Sequence, residues 1–125
     1  MKYSVLLLTL LFVLAACSSS AIIEEKEYII MTISNELPQA NNNWGNGEKI
    51  VITDRTTIMN IIDKINNSAK KDLSKISWEH GPELRIVFED KNKNYREIKA
   101  FISGTVVTDK YAISAGINFD ELIND

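Results

Sequence analysis

Ile58, Ile61, Ile62 and Ile65 stand at i, i+3, i+4 and i+7, with Ala69 at i+11, and no other pattern in the chain restricts its fold as tightly. Apolar side chains at that spacing form one stripe of a helix, and such a stripe must be buried against a second element. The spacing predicts a helix from about Arg55 to Ala69. Thr53-Asp54 offers its N-cap, because a short side-chain oxygen satisfies free amides of a first turn. Lys70 and Lys71 fall at the exit, where positive charge suits the negative end of the helix dipole. Asn66-Asn67-Ser68 are poor helix formers, so the last turn is expected to fray.

The segments available to cover this stripe read as strands. Glu27 to Ile33 is β-branched and aromatic on both faces. Asn46-Gly47 is a hairpin signal, and it leads into a second, antiparallel strand over Lys49 to Thr53. Leu84 to Glu89 alternates, with Leu84, Ile86 and Phe88 inward. After the polar loop Asp90 to Asn94, the segment Tyr95 to Ile102 puts Ile98, Ala100 and Ile102 on one face with Arg96. Ser103-Gly104 turns the chain, and Thr105 to Ser114 supplies one or two short strands folded at Asp109-Lys110. Asn118 with Glu121, bracketed by Ile117 and Leu122, has the layout of a capping box with a hydrophobic staple. A short helix from Phe119 to about Asn124 follows. The expected fold is α+β: an antiparallel sheet of about five strands, in the order β-β-α-β-β-β-α. One long helix packs on one face, with a short C-terminal helix.

The first seventeen residues pose a different question. Lys2 precedes the apolar run Val5 to Leu14, which closes on Ala15-Ala16-Cys17. A charged start, an apolar run of about a dozen residues and a small-residue processing site make a signal peptide. The run falls short of the roughly 20 residues that span a bilayer. Leu14-Ala15-Ala16-Cys17 resembles the lipobox of bacterial lipoproteins. The resemblance implies that residues 1–16 are a signal peptide and that Cys17 is diacylated on sulfur and becomes the first residue of the mature protein. Residues 17–26, with Ser18-Ser19-Ser20, read as the lipidated cysteine and a flexible tether, and 27–125 as a single α+β domain. The expected location is extracytoplasmic, on the cell membrane, or on the outer membrane in a Gram-negative envelope. Two acyl chains, at roughly 0.8 kcal/mol per buried methylene, suffice for stable anchoring. Cys17 is the only cysteine, so the domain forms no internal disulfide.

Charge narrows the partners. Setting Lys2 aside from the 14 Lys and Arg leaves 13 against 17 Asp and Glu, a net charge near −4. Such a domain offers no nucleic-acid surface, and it gains nothing overall from anionic lipid. Membrane attachment then falls to the acyl chains on Cys17.

Catalytic chemistry finds little to build on. His80 is the sole histidine, in Trp78-Glu79-His80-Gly81-Pro82. Adjacent residues on an extended chain diverge, so Glu79 and His80 do not converge on one ion without a special turn, and a zinc site needs further ligands. No serine stands in a nucleophile elbow, and the two glycines of Asn41 to Gly47 lack the ending of a phosphate loop. No catalytic, cofactor or metal residues are assigned. Trp44 and Trp78, each in a loop rich in turn formers, are the candidate partner-binding residues, together with His80. Tryptophan is enriched at interface hot spots, although a loop tryptophan also folds back over a core edge.

Ile50-Val51-Ile52-Thr53-Asp54, the isoleucine helix and Pro82 to Lys91 are similar to segments of small lipoproteins of low-GC Gram-positive bacteria. That group is mostly of unknown function, so no functional residue carries over. The expected function is a membrane-anchored lipoprotein presenting a non-enzymatic binding domain to a protein or envelope partner, as an inhibitor, immunity or assembly factor does. The alternatives are a lipid-anchored hydrolase using His80 and a small-ligand sensor.

Overall fold

A computed structural model describes residues 21–24, 26–36 and 49–124, with Ile123 and Asn124 described by backbone alone. It shows an α+β domain. The elements are β1 (Tyr28–Asn35), β2 (Lys49–Ile52), α1 (Arg55–Asn67), β3 (Lys70–Asp72), a 3-10 turn (Leu73–Lys75), β4 (Leu84–Asp90), β5 (Tyr95–Ala100), β6 (Val106–Val107), β7 (Tyr111–Ile113) and α2 (Phe119–Asn124). The strands form one sheet in the order β2-β1-β4-β5-β6-β7-β3, antiparallel throughout.

Helix α1 follows from its stripe. Ile58, Ile61, Ile62 and Ile65 are all buried, in one core with Met31 and Ile33 of β1, Leu84, Ile86 and Phe88 of β4, and Ile98 and Ala100 of β5. These strand residues lie in cross-strand register, Ile33 opposite Ile86 and Ile86 opposite Ile98, so they share the face that the stripe covers. Asp54 caps the helix as expected, its carboxylate accepting from the Thr57 amide at 3.3 Å and from the Thr57 hydroxyl at 2.6 Å. The C-terminal helix starts at Phe119 behind Asn118, whose side chain accepts from the Glu121 amide at 3.2 Å.

Three features depart from the sequence reading. The sheet has seven strands rather than about five, because Lys70–Asp72 forms an edge strand on β7 and Thr105 to Ser114 divides into β6 and β7. Lys70 and Lys71 therefore belong to that strand and not to the helix exit, and Ala69 is exposed beyond the end of α1. The strand exists through its pairing; three polar residues carry no periodic signal of their own.

The second departure is a β-bulge between Tyr28 and Ile30, which turns Tyr28 inward onto Phe88 with ring centroids 5.6 Å apart. Burial pushes the Tyr28 hydroxyl pKa up.

The third lies before β1, in the stretch read as tether. Ile23 is fully buried in the core, and Asn66 at the end of α1 grips its backbone from both sides. The Ile23 amide donates to Asn66 Oδ1 at 2.9 Å, and Asn66 Nδ2 donates to the Ile23 carbonyl at 3.0 Å. The folded domain thus reaches back to Ile23, inside the stretch 17–26 read as tether. Asn66, a weak helix former in the turn expected to fray, is helical, and its amide side chain is committed to this clamp.

Candidate partner-binding site

The strands β1, β4 and β5 give the sheet two ends. At one end β1 stops at Asn35, opposite Leu84, and Leu84 pairs with Ala100 at the close of β5. The chain before Leu84 and the chain after Ala100 therefore meet. They bring together Trp78, His80 and Glu83 from the loop ahead of β4 with Phe101 and Ile102 beyond β5.

Phe101 is the platform. It is buried, and its backbone is pinned by the turn that follows: its amide donates to Thr105 O at 2.8 Å, and its carbonyl accepts from Gly104 N at 2.9 Å. Gly104 adopts φ +109, and a Cβ there would lie 2.8 Å from Ile117 O. The tight turn thus needs glycine for both conformation and space. Trp78 meets Phe101 edge to face, with centroids 5.1 Å apart at 63°. His80 approaches the same ring at 5.8 Å. Such aromatic pairs favour tilted and edge-on geometry, since the ring edge is positive and the face negative.

Glu83 holds the loop down. Its Oε2 accepts from the Ile102 amide at 3.0 Å, and its carbonyl accepts from Glu36 N at 2.9 Å. Its Oε1 lies 3.8 Å from His80 Nδ1, while that nitrogen is 3.1 Å from the Gly81 carbonyl. One carboxylate oxygen is thus bonded to backbone, and the other stands beyond hydrogen-bond reach of the imidazole. The His80 side chain is 62% exposed. Among the described residues, no three of His, Cys, Asp and Glu converge as a metal site.

Of the residues singled out in the sequence, Trp78 and His80 come together on Phe101. Trp44 and Cys17 lie outside the described residues. Phe101 and Glu83 were not found from the sequence, because each reads as an ordinary strand-flanking residue. Only the pairing of Leu84 with Ala100 brings them to Trp78.

Beside this end, the face of the sheet turned away from α1 carries a run of ion pairs. Lys99 Nζ lies 3.1 Å from Glu36, and Arg85 lies 2.9 Å from Glu97 and 3.9 Å from Glu36. The Glu97 hydrogen bond and charge push the Arg85 pKa up. These charges pair with one another on β4, β5 and the residue after β1, although the buried Arg85 Nε has no hydrogen-bond partner.

Fold and site define a class: an antiparallel α+β sheet domain with a packed core under one helix and an aromatic cluster at one sheet end. The chain matches no known family model, no characterised protein and no solved structure.

Proposed function

We propose that the protein is a lipid-anchored, extracytoplasmic binding protein whose domain engages a protein or envelope partner without catalysing a reaction. The observation that carries this is Trp78. It rests on the buried Phe101 ring and yet stays 41% exposed. An aromatic side chain that is already ordered loses little entropy on binding, and its open surface is available for burial, as at interface hot spots. The layout of Leu14-Ala15-Ala16-Cys17 supports the anchor.

Two experiments test the two halves. Cys17→Ser should leave an unprocessed or misdirected precursor without lipid label; normal acylation of that variant would overturn the anchor. Trp78→Ala should abolish partner capture in cellular crosslinking while the far-ultraviolet circular dichroism stays unchanged. Undiminished capture would overturn the site.

A further inference from the structure

We infer that the opposite end of the sheet, carrying Tyr95 and the β4–β5 hairpin, lies against the lipid headgroup surface of the membrane that holds the acyl chains. The inference rests on acylation of Cys17 and adds an orientation to it.

The argument is one of reach. Ala21, Ile22, Glu24 and Lys26 share a cavity of about 360 Å³ with Tyr28, Tyr95 and Arg96, so the chain joins the folded domain beside the start of β5. Ile23 is locked there by burial and by Asn66. Cys17 precedes Ala21 by only four residues. A fully extended chain spans at most about 3.6 Å per residue, so four residues reach no more than about 14 Å. The Trp78 end lies the length of β4 away, about 20 Å at strand rise. A tether this short holds the end it joins within about 14 Å of the acylated residue, whereas the Trp78 end has the further length of β4, about 20 Å, by which to stand clear of the bilayer.

The chemistry of the near end suits that place. Tyr95 is 69% exposed, more than Val51 or Trp78, the other exposed large apolar residues described. Tyrosine at headgroup level puts its ring among the upper methylenes and its hydroxyl in water. In the hairpin, the Asp90 carboxylate is folded inward, accepting from the Asn92 amide at 2.8 Å and the Asn94 amide at 3.0 Å. Lys91 and Lys93 remain exposed at the tip, where their stems can lie along lipid with the ammonium groups at phosphates. The tip itself thus sets two exposed ammonium groups against the one Asp90 carboxylate, while Glu24 and Glu27 are exposed near the chain entry and Glu24 is paired with Lys26 at 3.1 Å.

The test uses the full chain expressed with its N-terminal segment, purified from membranes and reconstituted into phosphatidylethanolamine–phosphatidylglycerol vesicles with a headgroup nitroxide lipid. Acylation consumes the only native thiol, so Tyr95→Cys, Lys91→Cys and Glu79→Cys each offer one site for a fluorescent label. Labels at 95 and 91 are expected to be quenched several-fold more than the label at 79. Equal quenching at all three, or stronger quenching at 79, in protein that carries acyl groups by mass, would overturn the orientation and leave the anchor standing. Labelling of Cys17 itself in the unsubstituted chain would overturn the anchor and the orientation with it.

Discussion

The two ends of the β1–β4–β5 sheet are built on different principles. At the N-terminal end the chain is fixed by backbone: Ile23 is buried, and one side chain, Asn66, both donates to its peptide and accepts from it. At the Trp78 end, order comes from aromatic edges laid on Phe101, with ring surface and imidazole open to water. One end resists release of the chain. The other presents surface that a partner can bury. The proposed anchoring and binding roles would use one end each, and the sheet separates the two ends by the length of a strand.

The largest effect is expected where the lock is apolar. Ile23→Ala removes a fully buried side chain from the core and should lower stability by about 2–5 kcal/mol in urea unfolding. A loss below about 1 kcal/mol would mean that the N-terminal stretch is not part of the cooperative unit. At the other end, Gly104→Ala places a methyl 2.8 Å from Ile117 O in a backbone conformation that disfavours side chains. It should cost roughly 2–3 kcal/mol and expose the Trp78 environment to fluorescence quenching by iodide. Asn66→Ala leaves the Ile23 amide and carbonyl without their partners and should cost about 1–3 kcal/mol. It should also speed hydrogen exchange at the Ile23 amide while leaving amides of β4 and β5 protected.

The smallest effect is electrostatic, and it again separates the ends. Hydrogen bonds from the Ser74 amide and hydroxyl hold the Asp72 carboxyl below the ordinary range, and Thr57 does the same for Asp54. For Asp90, burial pushes the carboxyl up, but the amides of Asn94 and Asn92 outweigh it and the pKa is lowered. A carboxyl with a lowered folded pKa adds stability that is present above its unfolded pKa and lost as pH falls through the folded one. Unfolding measured from neutral pH into the acid range should therefore show a gradual loss below the usual carboxylate range. Asp72→Asn should flatten that loss for the segment leading to Trp78, and Asp90→Asn for the hairpin carrying Tyr95. An acid loss unchanged in both variants would contradict these assignments.

Legibility in the sequence followed periodicity. The isoleucine stripe, Asp54, the alternation of β4 and the cap at Asn118 are local patterns, and the structure contains each of them. Strand β3 was invisible because Lys70-Lys71-Asp72 becomes a strand only when β7 lies beside it. The Ile23 clamp was invisible for a related reason: its two halves lie 43 residues apart, and Asn66 looks unfavourable until its partner is known. At the site, Trp78 and His80 were legible as odd residues in a turn-rich loop. Phe101, which organises them, was not, since only the register of β4 against β5 places it there.

The most direct measurement is paired photocrosslinking in cells, with p-benzoylphenylalanine introduced separately at positions 78 and 95. The account predicts a discrete protein or envelope adduct from position 78 and lipid adducts from position 95. Lipid adducts at 78, or the same protein adduct at both positions, would contradict it.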